Sequence, residues 1–239
     1  MPIRAVLWDI DDTIFDYTSA DREGLRRMLA DEGLPHLYAS AEDALRRWRE
    51  LTEHHWARFA AGEIDFQGQR RDRVRSFFAR QLSDAEADEW FGRHVTHYEA
   101  AWSLFPDFLP VLDRLEGEYR HAVLSNSSLH NQDRKLRVLG VRDRFEAVLC
   151  AVELGVSKPE AAAFHAACKA LGLSPQEVAY VGDHPDIDAS AAGAAGLTGI
   201  WLDRAGQGGR PELIRITGLE ELPGLLRSDT RFGAPSTFR

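Results

Sequence analysis

Three carboxylates stand close together near the start of the chain, Asp9, Asp11 and Asp12, with Thr13 directly after them. Like charges this near repel and raise one another's pKa, so the arrangement calls for a cation in their midst. A divalent metal is the expected remedy. For a lone Asp-x-Asp a solvated acidic turn would be the ordinary reading. A calcium loop requires glycine at its sixth position and glutamate at its twelfth. Counted from Asp9 those places hold Ile14 and Ala20, which excludes it. Three later segments supply what phosphoryl chemistry needs: Ser125-Asn126, Lys158-Pro159, and Gly182-Asp183 with Asp188 five residues on. In such a set one carboxylate attacks phosphorus and its neighbour manages the leaving-group proton. Serine and lysine hold phosphoryl oxygens, and Mg²⁺ relieves the repulsion.

These groups must be brought together by the elements that carry them. The acids close an apolar run over residues 3–8 that shows no alternation, the pattern of a strand buried on both faces in a parallel sheet. Further strands are expected at His121–Ser125, Ala147–Cys150, Val178–Val181 and Leu197–Leu202, with helices at 107–117 and about 160–171. Strands alternating with helices imply an α/β, doubly wound parallel sheet with right-handed crossovers. The carboxyl ends of its strands, where open α/β sheets place their ligands, carry all four polar segments.

Residues 16–102 have a different character, with helical periodicity and no strand-like run. Four helices are expected there. The first follows Thr18, which with Asp21 has capping-box spacing, and it fades at Gly33-Leu34-Pro35. The second starts after Ser40, presents Leu45, Trp48, Thr52, Trp56 and Phe59 on one face, and ends at Gly62. The third carries Val74, Phe77, Phe78 and Leu82. The fourth follows Ser83, with Glu86 completing a capping box, and buries Phe91, Val95, Tyr98 and Trp102. The resulting division is a core over 1–15 and 103–227, a helical insert over 16–102, and a flexible tail over 228–239. Glycine-rich Arg204–Arg210 reads as a mobile loop.

Composition narrows the function classes. The chain has 239 residues, 44% of them hydrophobic, and a net charge of −9. That balance argues against a nucleic-acid polymer as partner, because neutralising phosphates takes clustered Lys and Arg. Cys150 and Cys168 form no CxxC and read as small buried apolar residues. No run of eighteen apolar residues exists, so no membrane association is expected and a cytoplasmic location is the default. The sequence assigns no oligomeric state. His54 with His55, and His94 with His97, lack an acid that would complete a zinc set, and packed or solvated roles are expected for them. His184 and Asp186 read as loop residues near the metal's outer waters. Trp48, Trp56 and Phe59 read first as packing, with nucleobase stacking as the alternative.

The ordered motifs resemble the haloacid dehalogenase (HAD) superfamily of phosphohydrolases. Asp9-Ile-Asp11-Asp12-Thr13 is similar to its first motif, Ser125 to its second, Lys158 to its third, and Gly182-Asp183-x-x-x-x-Asp188 to its fourth. The helical insert resembles the family's C1 cap, and Trp56 with the Gly62-Glu63-Ile64 turn resembles the branch of bacterial 5′-nucleotidases and sugar-phosphate phosphatases. The resemblance implies a Rossmann-like core and Mg²⁺-dependent hydrolysis of a small phosphate monoester, a nucleoside monophosphate or sugar phosphate. Asp9 would be the nucleophile that forms an aspartyl-phosphate, and Asp11 the acid and then the base. Thr13 would brace the turn. Ser125 and the Asn126 backbone would bind the phosphoryl group, and Lys158 would neutralise it. Mg²⁺ would take Asp9, the Asp11 carbonyl and Asp183, with Asp188 orienting the site. A phosphomutase uses the same residues, and a non-catalytic binding module could keep the same fold. A dehalogenase has no need of the acid at Asp11. Two departures from the family pattern stand out: Ser127 replaces a common glycine and narrows the space beside the phosphate, and Asp107 follows Pro106 where glycine is usual.

Overall fold

The structure is a computed structural model that describes residues 1–33 and 37–227. Leu34 and Pro35 of the expected first-helix stop, and the tail expected over 228–239, lie outside the described residues. Two compact units are present, one formed by residues 1–16 with 103 onward and the other by Tyr17–Trp102.

In the first unit six strands, β1 (Ala5–Trp8), β2 (Arg120–Ser125), β3 (Ala147–Cys150), β4 (Val178–Gly182), β5 (Thr198–Leu202) and β6 (Ile214–Ile216), form one parallel sheet in the order β3-β2-β1-β4-β5-β6. This is the doubly wound α/β sheet that the strand and helix alternation implies. Strand order reverses between β1 and β4, and the crevice that opens beyond that point is the ligand position of such sheets. Register places Trp8 beside both Val123 and Val181, so the residues after β1, β2 and β4 emerge together. On one face Leu7, Leu124 and Tyr180 pack against Phe164 and Leu171 of the helix Ala161–Leu171. On the other, Trp8 meets Phe108 edge-on at 5.5 Å between ring centroids. Every residue of β1 and β4 is buried, which explains their lack of alternation.

The segment expected to be a mobile loop is tied down. Buried Asp203 accepts from Gln207 N and Gly208 N, both at 2.9 Å, and from Arg215 Nε at 2.7 Å. Arg204 forks onto Asp107 at 2.9 and 3.1 Å, and Asp107 also accepts from Leu219 N. Aspartate in place of glycine at 107 is therefore an anchor for two later segments. The three-residue edge strand β6 was not expected.

The second unit contains α1 (Tyr17–Glu32), α2 (Ala41–Ala60), α3 (Phe66–Phe78) and α4 (Asp84–Glu99). Ser83 and Glu86 make the expected capping box on α4, and Ser40 caps α2 by accepting from Asp43 N. Thr18, read as the residue before the first helix, lies inside it. α1 already starts at Tyr17, and the Asp21 carboxylate accepts from Trp48 Nε1 at 3.3 Å and faces His94 Nε2 at 3.2 Å. The buried face of α2 is Ala44, Trp48, Leu51 and His55, with Leu45, Thr52, Trp56 and Phe59 half-buried beside it. On α4 the buried set is Ala87, Trp90, Phe91 and His94, and Trp102 and Leu82 lie beyond their helices. Packing around Trp48 decides these faces, because its ring meets Phe77, Trp90 and His94 within 5.3 Å.

Candidate active site

The chain turns sharply as it leaves β1. Asp9 N still bonds to Val181 O at 2.9 Å, after which the carbonyl of Ile10 accepts from Ile14 N and Phe15 N, both at 3.0 Å. Asp12 takes a left-handed φ of 58°, which aspartate tolerates better than most residues. The turn sends the carboxylates of Asp9 and Asp11 into different settings.

Asp9 is buried. Its Oδ1 accepts from Lys158 Nζ at 2.6 Å and its Oδ2 from Thr13 Oγ1 at 3.3 Å. Lys158, with a side chain only 4% exposed, also donates to Asp188 Oδ1 at 2.7 Å and to Tyr180 Oη at 2.7 Å. Burial alone would pull the lysine pKa down, but Asp188 and Asp9 outweigh it and hold the ammonium protonated above its ordinary range. Asp188 also accepts from His184 N at 3.0 Å. Gly182 permits this approach, since a Cβ there would lie 2.4 Å from Asp188 Cγ. A π-helical turn over Pro185–Ser190 then carries Asp188 back beneath the end of β4. His184 caps this turn, its Nδ1 accepting from Asp186 N and Ile187 N, while Asp186 pairs with Arg210.

Asp9, Asp183 and Asp188 each offer an oxygen within 4.8 Å of the others. Among the described residues no hydrogen bond or ion pair reaches the Asp183 carboxylate. Burial first, then Asp9, Asp188 and Asp12, push that carboxyl up to about 8. Burial likewise pushes Asp9 up to about 7 against the pull of Lys158. A half-buried carboxylate with no partner of its own, close to two buried ones, is a hard-oxygen setting that fits a small divalent cation.

Asp11 adds the charge of its carboxylate to the field at Asp9 but is not one of the three clustered acids. Its side chain is 35% exposed, against 8% for Asp9, and it faces the helix Leu129–Val138. Lys135 Nζ donates to Asp11 Oδ1 and Gln132 Nε2 to Asp11 Oδ2, the latter at 2.8 Å. Gln132 Nε2 also donates to Ser125 Oγ at 3.0 Å. The Asn126 side chain clasps the Lys158 backbone, with Lys158 N donating to Oδ1 and Nδ2 donating to Lys158 O, both at 2.8 Å. Arg204 Nη2 donates to the carbonyl of Thr13 at 2.9 Å and so steadies the first loop.

All eight residues singled out in the sequence, Asp9, Asp11, Thr13, Ser125, Asn126, Lys158, Asp183 and Asp188, lie at this one sheet edge. Gln132, Lys135, Tyr180 and Arg204 were not read from the sequence. Only Tyr180 left a signal there, a phenol inside a wholly buried strand, which must find a polar partner. In the other unit His55 and His94 are packed inside, while His54 is exposed. His94 meets Asp21, and His55 bonds to Ser76 Oγ at 3.1 Å with burial holding its pKa down to about 4. His97 lies 3.5 Å from Asp31. No helix among the described residues is long and apolar enough to cross a membrane.

The haloacid dehalogenase-like hydrolase family matches residues 3–196, and the chain belongs to that family. A phosphoserine phosphatase of Thermus thermophilus is 31% identical to it, over 92% of this chain and 98% of that protein. The pyrimidine 5′-nucleotidase YjjG of Escherichia coli is 26% identical over 92% and 96% of the two chains. In three dimensions the magnesium-bound HAD-hydrolase YfnB of Bacillus subtilis shares the fold, with a TM-score of 0.78, 22% identity, and 95% and 99% of the two chains covered. The protein is thus an enzyme of the HAD-like hydrolases, with phosphatases among its relatives.

Proposed function

We propose that the protein hydrolyses small phosphate monoesters in two steps, carrying the phosphoryl group on Asp9 between them. One observation carries the reading: two acids two residues apart occupy opposite settings, Asp9 buried against Lys158 and Asp11 half-exposed against Lys135 and Gln132. Separating the surroundings of paired carboxylates is how one fold assigns them different tasks. In the first step a bond forms from an Asp9 oxygen to phosphorus as the ester P–O bond breaks, and the leaving oxygen takes the proton of Asp11. In the second, Asp11 removes a proton from the water that attacks phosphorus, and Asp9 is regenerated as the P–O bond to it breaks.

Lys158 offsets charge on Asp9 and on the incoming phosphoryl oxygens, while Thr13 fixes the rotamer of Asp9. Ser125 Oγ and the backbone N–H of Asn126 serve as donors to the phosphoryl group. Mg²⁺ fits the carboxylates of Asp9 and Asp183 with the main-chain carbonyl of Asp11, and Asp188 orients the set through Lys158. When bound, the ion would offset the repulsion between a phosphate dianion and the clustered carboxylates. The helical unit 17–102 selects the leaving group in this reading, with nucleoside monophosphates and sugar phosphates as the first classes to try and phosphoserine as a third suggested by the relatives.

The test is release of inorganic phosphate from a panel of these esters, with Mg²⁺ and with a chelator, joined to acid quench of enzyme mixed with ³²P-labelled substrate. Label that stays on the protein and is removed by hydroxylamine identifies an acyl phosphate. Activity undiminished by chelation, or substantial turnover by a folded Asp9→Asn protein, would overturn the reading.

A further inference from the structure

Gln132 and Lys135 lie three residues apart on the helix Leu129–Val138 and are buried, yet neither forms part of the four motifs. Lys135 sits with its ammonium 4.2 Å from the centroid of the Phe15 ring and spends its charge on one Asp11 oxygen. Gln132 takes the other. A side-chain amide has two N–H donors, and here one points to Asp11 and the other to Ser125. Asp11 fixes the orientation of the amide, since its oxygen in that place would meet like charge. Ser125 Oγ must then accept from Gln132, and its own proton is left to point elsewhere.

We propose that Gln132 and Lys135 are positioning residues of the reaction. Lys135 and Gln132 together hold the Asp11 carboxylate toward the β2 side, out of the Asp9, Asp183 and Asp188 cluster, where a divalent cation would otherwise draw it in as a further ligand. Gln132 in addition turns the Ser125 hydroxyl proton outward, to the place of a phosphoryl oxygen. Two groups that meet the same substrate from strand ends more than a hundred residues apart are thereby set by one amide. The inference rests on the proposed role of Asp11 in leaving-group protonation.

The experiment compares kcat/KM for an alkyl phosphate and for 4-nitrophenyl phosphate, whose leaving group needs no proton, because kcat/KM reports the step in which the ester bond breaks. Lys135→Met keeps the methylene stem over Phe15 and removes the charge. Its kcat/KM should fall about 10²-fold with the alkyl ester, the scale of general-acid catalysis, and only a few-fold with the aryl ester. Gln132→Leu should show the same selectivity and also raise KM for both esters through Ser125. Placed in an Asp11→Asn background, Lys135→Met should add almost nothing, because both changes act through one carboxylate. Equal losses on the two esters, or full additivity with Asp11→Asn, would overturn the inference while leaving the role of Asp11 intact. If Asp11→Asn itself fails to discriminate between the esters, that role falls and the inference with it. Gln132→Leu supplies the same comparison should Lys135→Met not fold.

Discussion

Each unit of the molecule buries a cation, and the two do so by different means. In the sheet unit Lys158 is surrounded by oxygen, from Asp9, Asp188 and Tyr180 at 2.6 to 2.7 Å. In the helical unit Arg73 is equally buried but has no carboxylate within ion-pair distance among the described residues. Its Nη1 donates to Thr52 Oγ1 at 2.8 Å, and its guanidinium lies 4.8 Å from the ring centroid of Trp48 and 4.9 Å from that of Phe91. Arg73 Nε and the neighbouring Gln69 Oε1 are buried without a partner. A cation among carboxylates sets their charge state and holds them in place for chemistry. A cation between aromatic faces mainly fills space, and its loss is a packing event.

The largest effect that can sharpen this contrast is at Asp9. Asp9→Asn should lower kcat by about 10³-fold or more, since an amide cannot act as the attacking carboxylate. Its melting temperature should hold or rise, because one of three crowded acids is gone. Lys158→Met comes next. It leaves Asp9 and Asp188 buried without their cation, which costs about 3 to 5 kcal/mol of stability in denaturant titrations together with most of the activity.

Arg73→Met should cost about 1 to 3 kcal/mol through lost ring contacts and leave kcat within about two-fold. A kcat collapse in folded Arg73→Met protein would break the comparison.

A further prediction concerns acid pairs and pH. The carboxyls of Asp9 and Asp183 are raised in the folded protein to about 7 and about 8 from 3.8. The folded state therefore holds these protons after the unfolded chain has released them, and metal-free stability should fall as pH rises from about 4 to about 8. Mg²⁺ binds the ionised forms, so its stabilising shift in melting temperature should be larger at pH 8 than at pH 5. An equal shift at both pH values would contradict the assignment of Asp9 and Asp183 as ligands. The smallest effect is expected at Trp56, half-buried against Phe59 at 5.3 Å and Phe66 at 6.3 Å. Trp56→Ala should cost about 1 kcal/mol. A selective loss of nucleotide turnover would give this ring a role in substrate choice, whereas equal loss on nucleotides and sugar phosphates would leave it as packing.

What the sequence revealed follows from the range over which each signal acts. The motif residues were legible because each lies at or just after a strand end, where local pattern and sheet geometry agree. Gln132 and Lys135 were not, since nothing nearby in the chain marks them and their partner Asp11 is 121 and 124 residues away. The cap spacing at Thr18 and Asp21 misled in turn, since the helix already starts at Tyr17 and Asp21 faces Trp48 and His94. On α2, periodicity gave the stripe through Leu45 and Thr52, but the Trp48 cluster turned the helix toward Ala44 and Leu51. β6 has only three residues, too few to show a period.

Pairing between β2 and β3 ends at Ser125 and Cys150, and one residue beyond β2 the Asn126 side chain makes a strand-like rung with the backbone of Lys158, in a later loop. Toward Lys158 the Asn126 amide turns one of its N–H donors and its carbonyl oxygen, as a peptide unit of a neighbouring strand would. The main-chain N–H of Lys158 should therefore exchange with solvent at the slow rate of a sheet residue, although it sits in a loop. Asn126→Leu, close in volume but with neither the Oδ1 acceptor nor the Nδ2 donor, would unzip that rung. Its signature would be faster hydrogen exchange 32 residues downstream, so that the breathing of one loop is governed from another.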